Sequence, residues 1–321
     1  MRAITVSEYG ASPSVTELPR PQPGPGQVLI AVQAAGMNPM DMQIAAGGWK
    51  DRMPATFPMV LGADLAGIVE GGGPGAIRFT PGDAVFGQLL IPPLGSAGTY
   101  AQYVAVSADA PLAHGPDGLD PVIAAALPTA GGTAMAIAES LAPLEGRTVL
   151  IVGASGGVGS FLTQLAAGAG AHVDASAPLA EAGRMKGYGA AEIIDRAAPL
   201  PEAIARAHPD GIDVLIDLAS DARQFAALAG HVRSGGTAVT TRYVADQESL
   251  ATAGVTGVNF QLPMNISLLD RLAAAVVAGT IVAPPITRLS LNEVPALLGK
   301  HGRAEGKTVI TIEPGLPATV P

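Results

Sequence analysis

The chain contains no cysteine. Disulfides are excluded, and so is every zinc site that relies on thiolate. Histidine, the other common transition-metal ligand, is sparse. His114, His172, His208, His231 and His301 lie far apart and form neither an HxH nor an HExxH pattern. No metal site is expected. Positive charge is also scarce: 18 Lys and Arg against 27 Asp and Glu leave a net charge of −9. That balance argues against nucleic-acid and anionic-membrane partners, which are bound through basic patches. No apolar run is long enough to cross a bilayer, because Gly, Pro or charge interrupts each one. The opening "MRAITVSEYG" lacks the continuous apolar core of a signal peptide. A soluble cytoplasmic protein is expected.

Apolar residues, by contrast, make up 48% of the 321 positions, enough for two domains with separate cores. The first hundred or so residues read as short strands between turns. "QVLIAVQAAG" follows the loop "PRPQPGPG", and "DLAGIVE", "GDAVFG" and "TYAQYVAV" are separated by "GGGPGA" and "PPLGSAG". This spacing suggests a small barrel or sandwich. From about Pro121 the pattern changes. "DPVIAAALPTAGGTAMAIAESL" is helical in character. Strands "RTVLIVGA", "AHVDASA", "AEIID", "GIDVLIDLA" and "GGTAVTT" then alternate with helical stretches such as "GVGSFLTQLAAGAGA", "LAEAGRMKGYG" and "ARQFAALAGHVR". Such alternation implies a parallel, doubly wound sheet. "SLLDRLAAAVVAGT" is a late helix and "KTVITIE" a last strand.

Between strand and helix lies "VLIVGASGGVGS", Val149 to Ser160. In a GxGxxG register, Ala154, Gly156 and Gly159 take the three positions. The first permits a tight turn, the second lets backbone approach a pyrophosphate, and the third lets helix pack on strand. The helix start adds N–H groups and a positive dipole for the phosphates.

The motif "GASGGVGS" resembles the AxGGVG loop of the medium-chain dehydrogenase/reductase superfamily. "AAGMNPMD" resembles its GxNPxD segment, and "LGADLAGIVEGGGPGAIRFTPGDAVFG" its long Gly-punctuated signature. "GTYAQYVAV", "AAALPTAGGTA" and "GKTVITI" also match, so the resemblance spans nearly the whole chain. It implies an α/β chain with a β-rich GroES-like catalytic domain, residues 1–120 and 266–321, and a Rossmann doubly wound parallel-sheet domain, residues 121–265. The segments where alcohol dehydrogenases of the superfamily hold zinc read "GMNPMDM" and "LGADLAG" here, without Cys or His. The resemblance is therefore to the zinc-independent quinone oxidoreductase and enoyl reductase branch. It also implies a homodimer formed by edge-to-edge pairing of late strands, with "GVNFQL", Gly257 to Leu262, as the candidate.

For cofactor binding, the resemblance singles out Thr133, Ser155, Gly156, Gly157, Val158, Gly159, Ser176, Arg184, Arg196, Thr240 and Phe260. Ser176, Arg184 and Arg196 stand where a 2′-phosphate would be met, and they favour NADPH. NADH is less favoured. It would be selected if Asp174, about twenty residues past the glycine loop, held the ribose. At the reacting end the resemblance places Asn38 and Gln43. An amide there can hydrogen-bond the carboxamide, the ribose or a substrate carbonyl. Three departures stand out: Gln43, Ala45 and Trp49 stand where quinone reductases commonly carry a Tyr, an Arg and a Tyr. Asp41 and Asp64 are the nearest carboxylates and read as structural. Met37, Met40, Met42, Met53 and Met59 read as core, or alternatively as the lining of a pocket for a bulky apolar ligand.

The expected function is zinc-independent, NADPH-dependent hydride transfer to a quinone or an α,β-unsaturated carbonyl, a small apolar substrate. The alternative, favoured by the departures at Gln43, Ala45 and Trp49, is a non-redox tailoring enzyme that cyclises or eliminates, or an NADPH-binding protein without turnover.

Overall fold

The computed structural model describes residues 1–298 and 305–313. The chain folds into two compact units, residues 1–132 with 264–321, and residues 133–263.

The first unit begins with β1 (Arg2–Val6), β2 (Ser14–Glu17), β3 (Gln27–Gly36), α1 (Pro39–Ala45) and β4 (Met59–Val60). β5 (Asp64–Gly72), β6 (Ala84–Gln88), β7 (Tyr103–Ser107), β8 (Leu112–His114) and α2 (Pro121–Ala126) follow. α3 (Pro128–Leu141) runs across the division between the units. β3 is the centre of the sheet. It pairs antiparallel with β5 and with β7, and its 10 residues alternate enough to bury both the Val28–Ile30 and the Ala34–Gly36 ends. Ile4, Ile30, Leu65, Leu112 and Tyr100, all fully buried, belong to one apolar core. Met59 lies in this core, and Met37, Met40 and Met53 pack against it. Met42 is half-buried.

α2 explains why the first unit extends to residue 132, beyond the expected boundary at 120. A Cβ on Gly36 of β3 would stand 2.2 Å from the carbonyl oxygen of Ala125. The helix lies directly on the strand because that position has no side chain. The Ala-rich stretch, read as helical in character, forms two helices divided at Leu127–Pro128, where proline removes an N–H from the ladder.

The second unit is a six-stranded parallel sheet with its helices. In chain order these are β9 (Thr148–Val152), α4 (Gly157–Gly168), β10 (His172–Ala177), α5 (Ala182–Gly187), β11 (Glu192–Asp195) and α6 (Leu200–Ala207). β12 (Ile212–Asp217), α7 (Ala222–Ala229), β13 (Val232–Thr240), α8 (Gln247–Thr252) and β14 (Thr256–Asn259) complete it. The strand order is β11-β10-β9-β12-β13-β14. The order reverses between β9 and β12, as in a doubly wound fold, whose ligands bind at the carboxyl ends of the strands where this happens. Central strand β12 is buried along its whole length, as expected for a strand covered on both faces. A separate core includes Leu150, Ile204, Leu215, Phe225 and Val255.

The chain then returns to the first unit through α9 (Ile266–Val277), β15 (Ile286–Ser290), α10 (Val294–Leu298) and β16 (Lys307–Thr311). β16 pairs antiparallel with β3, Val309 opposite Gly36, and completes a seven-stranded sheet. No helix among the described residues is long and apolar enough to cross a membrane.

Candidate functional site

Four strands of the parallel sheet end in register. Val152 of β9 lies between Ser176 of β10 and Asp217 of β12, and Asp217 pairs with Thr240 of β13. The glycine loop springs from this row. Gly153 takes the left-handed turn, with φ +85°. The sequence register assigned the turn to Ala154, one residue later. Glycine meets no steric penalty at that φ, and alanine does. The Ala154 N–H then bonds to the Ser176 carbonyl at 3.1 Å, which ties the loop to the neighbouring strand.

α4 begins after Gly156, its N-cap in extended backbone. The first N–H groups of a helix have no intrahelical acceptor, so the turn at Gly157, Val158 and Gly159 presents donors and positive dipole. Gly156, Gly157 and Val158 are half-exposed, whereas Ser155 and Gly159 are buried. A Cβ on Gly159 would lie 2.3 Å from the Gly153 oxygen and 2.6 Å from Ala154 Cα. A Cβ on Gly156 would have only the Gly153 oxygen nearby, at 3.4 Å. Gly159 thus serves close packing, and Gly156 leaves the approach to the backbone open.

Beside this loop two buried polar atoms have no hydrogen-bond partner: Ser176 Oγ and Asp217 Oδ2. The other Asp217 oxygen accepts from the backbone N–H groups of Ala219 and Ser220, both at 2.9 Å. Leaving a buried polar atom unpaired costs about 1–3 kcal/mol. Two such atoms beside the glycine loop are what a polar ligand would satisfy. Thr240 Oγ1 accepts from Arg242 N–H at 3.0 Å, and the Thr240 carbonyl accepts from Phe260 N–H at 2.8 Å. Ser155, Ser176, Thr240 and Phe260 are therefore gathered at one crest of the second unit. Thr133 is buried in α3.

The charged candidates stand differently from expectation. Arg184 donates through Nε to Glu181 at 2.6 Å, through Nη1 to Ser160 Oγ at 2.9 Å, and through Nη2 to the Ser155 carbonyl at 3.1 Å. Its guanidinium braces the glycine loop. Arg196 is exposed just after β11, and its N–H bonds to the Ala177 carbonyl. Asp174 lies within β10 opposite Leu150, two residues short of the crest. Its buried carboxylate meets His208 directly, and His172 Nε2 is 3.4 Å away. Burial raises its pKa, and the two histidines oppose the rise. Asp174 is thus removed from the ribose position that the spacing rule assigned to it.

In the first unit, the two segments that resemble zinc-holding segments are brought together by a buried ionic network. Asn38 caps α1, and its N–H bonds to Asp41 Oδ2 at 2.8 Å. Its side-chain amide donates to Asp64 Oδ2 at 2.9 Å and accepts from the Lys307 ammonium. Lys307 also donates to the Met37 carbonyl at 2.8 Å and lies 3.7 Å from Asp64. Thr129 satisfies the other Asp64 oxygen through its hydroxyl at 2.6 Å. Asp41 accepts from the Tyr100 hydroxyl, and burial raises its pKa from 3.8 to about 7. Burial likewise raises Asp64, opposed first by Lys307, and lowers Lys307. Asn38 is consequently engaged at both ends of its amide. Gln43, one turn on, is exposed. Asp41 and Asp64 both belong to this buried hydrogen-bonded network. Lys307 had no sequence reading. Its only signal was a lysine opening an otherwise apolar strand, "KTVITI". Among the described residues no cluster of His, Asp or Glu is arranged to hold a metal.

Comparison with known proteins agrees with this architecture. The family described as "Alcohol dehydrogenase GroES-like domain" matches residues 24–117. A chloroplastic quinone oxidoreductase of Triphysaria versicolor is 34% identical over 233 residues, covering 68% of each chain. A mitochondrial NAD(P)H oxidoreductase of Mus musculus is 30% identical over 330 residues, covering 90% of this chain and 82% of that one. The match to a chloroplastic quinone-oxidoreductase homolog of Spinacia oleracea spans 62% of that protein. Among solved structures, the quinone oxidoreductase of Coxiella burnetii superposes with a TM-score of 0.85 at 26% identity, over 98% of this chain and 99% of that one. The chain belongs to the medium-chain dehydrogenase/reductase superfamily of oxidoreductases, in its quinone oxidoreductase branch.

Proposed function

We propose that this protein is a zinc-independent reductase that uses a nicotinamide dinucleotide to reduce a quinone or an α,β-unsaturated carbonyl compound. The observation that carries the reading is the crest of the parallel sheet. A glycine loop, a helix start and two buried unpaired polar atoms, Ser176 Oγ and Asp217 Oδ2, meet there. The named relatives, quinone and NAD(P)H oxidoreductases, support the same reading.

When bound, the dinucleotide supplies a hydride for the electron-poor carbon conjugated with the substrate carbonyl. The chain contributes binding and orientation. Gly157, Val158 and Gly159 N–H groups would hold the pyrophosphate, and Gly156 lets it approach. Ser176 and Asp217 would find partners in the cofactor's polar groups. Thr240 and Phe260 continue the row along the crest. With no cationic side chain assigned to the reacting end, the substrate carbonyl would be polarised by neutral donors, of which the exposed Gln43 amide is one. Asn38 holds the N-terminus of α1, and so the placement of Gln43, through its bonds to Asp64 and Lys307. Of the three groups that favoured NADPH in the sequence, Arg196 alone retains an exposed side chain; Ser176 is buried and Arg184 is bonded to the glycine loop.

Saturated ketones and alcohols should be poor substrates, because only conjugation spreads the developing charge onto oxygen as an enolate. Stopped-flow reduction of a quinone and enone panel tests this, with the cofactor deuterated at nicotinamide C4. A primary isotope effect on reduction of an accepted substrate is expected. Cofactor binding without reduction of any acceptor, alongside cyclisation or dehydration of a substrate with no net oxidation, would replace this reading with the non-redox one.

A further inference from the structure

β10 ends at Ala177, and the chain enters α5 through a short 3-10 turn, Leu179–Glu181. Glu181 is the acid of that turn. Its carboxylate takes the Arg184 Nε–H at 2.6 Å, while both terminal nitrogens of the same guanidinium bond to the start of α4, at Ser160 Oγ and the Ser155 carbonyl. The Arg184 side chain is only 16% exposed, and that of Glu181 25%. The guanidinium is thus a strut between the glycine loop and the turn after β10, with the Glu181 carboxylate at its outer end.

We propose that Glu181 determines cofactor preference: its carboxylate accepts from the adenine-side ribose hydroxyls and repels a 2′-phosphate, so the chain binds NADH in preference to NADPH. The inference rests on the nicotinamide-dinucleotide reading above. A pyrophosphate fixed at the start of α4 places the ribose near the end of the second strand, and an acid there accepts from its 2′-hydroxyl. Glu181 lies about twenty residues past the glycine loop, just beyond the strand end, and is tied to the loop through Arg184. Asp174 meets the rule in sequence only. A phosphate dianion brought to the same place would face a carboxylate. Arg184 offers it little, because its charge is already balanced by Glu181 and three of its five N–H donors are engaged by Glu181, Ser160 and the Ser155 carbonyl. A phosphate that met its two remaining N–H groups would still stand beside the Glu181 carboxylate. Arg196, exposed beyond β11, is the opposing charge, and the test includes it.

Titration calorimetry of the full chain with NADH and with NADPH decides the matter. NADH should bind at least about tenfold more tightly, a difference of one decade. Glu181→Gln should narrow the gap by tightening NADPH, and Glu181→Lys should invert it. Arg196→Ala should leave NADH preferred. Thermal midpoints, unchanged in the three variants, would show that the fold is intact. Equal or tighter NADPH binding by the unaltered protein overturns the proposal, as does a ratio indifferent to Glu181→Gln. If the folded protein binds neither nucleotide, the cofactor reading itself falls, and the assignment of Glu181 with it.

Discussion

Lys307, on the last strand, donates its buried ammonium to the side-chain carbonyl of Asn38, which caps the first helix. The two residues are held beside Asp64, whose side chain is fully buried, and the ion pair is dehydrated. Removing the lysine would leave a buried carboxylate without its counter-charge and an amide oxygen without its donor. Breaking such a pair costs about 3–5 kcal/mol.

Lys307→Met should therefore destabilise the first unit by about 3 kcal/mol or more, and Lys307→Met with Asp64→Asn should recover part of that loss. Trp49, the only tryptophan, packs against the core of this unit, so its fluorescence in urea reports the right transition. A double variant less stable than the single one would show that the charge pair is not what the lysine serves.

Asp41 gives the first unit a pH dependence of unusual sign. Burial raises its folded pKa from 3.8 to about 7. Between those values the folded state keeps the proton and the unfolded state has lost it. Stability then falls as pH rises, by up to about 1.4 kcal/mol per unit, and the dependence flattens above the folded pKa. Asp41→Asn, which preserves an acceptor for Asn38 N–H and the Tyr100 hydroxyl, should remove this slope. Trp49-monitored unfolding of both proteins at intervals from pH 4 to 8 would show it. Parallel profiles would mean that Asp41 is ionised in the fold.

Gly156 and Gly159 should separate ligand approach from packing. At Gly159 an added Cβ meets backbone at 2.3 Å, and backbone cannot swing aside. At Gly156 the nearest atom is 3.4 Å away. Gly159→Ala should lower the calorimetric midpoint of the second unit and abolish dinucleotide binding. Gly156→Ala should leave the midpoint nearly unchanged and weaken binding by about tenfold or more, since the methyl group would stand where the proposed pyrophosphate site is approached. Undiminished binding by Gly156→Ala would mean that the phosphates lie elsewhere.

The sequence revealed elements with strong local signals. β3 and β9 are apolar runs bounded by glycine and turn residues, and the glycine loop declares the helix that follows it. α6 carries a weaker signal, because Ile204 is the one buried residue of "LPEAIARA" and the apolar stripe is correspondingly thin. Asp174 shows where spacing fails: counting residues from the loop does not give height on a strand, and the pairing with Leu150 puts this acid below the crest. Glu181 could have been found by the same count extended past the strand end. Lys307 could not, because only the pairing of β16 with β3 buries it against Asn38. A strand lysine otherwise reads as exterior.

Self-association should follow from the edges of the parallel sheet. Among the described residues, β11 and β14 each pair on one side only. β11 begins and ends with acids, Glu192 and Asp195, and charge on an edge discourages pairing. β14, Thr-Gly-Val-Asn, carries no charge and is largely half-buried, and apart from the Gln247 amide bonded to the Gly257 carbonyl it offers a template for the same strand of a second copy. We therefore propose a homodimer joined along β14, whose range Thr256–Asn259 overlaps the sequence candidate Gly257–Leu262. Light scattering should give twice the chain mass at micromolar concentration. Thr256→Lys adds an exposed edge lysine without touching either core, so it should shift the protein towards monomer while leaving the thermal transition of the second unit in place. A monomer mass for the unaltered protein across that range would reject the dimer. A dimer indifferent to Thr256→Lys would reject this edge as its seam.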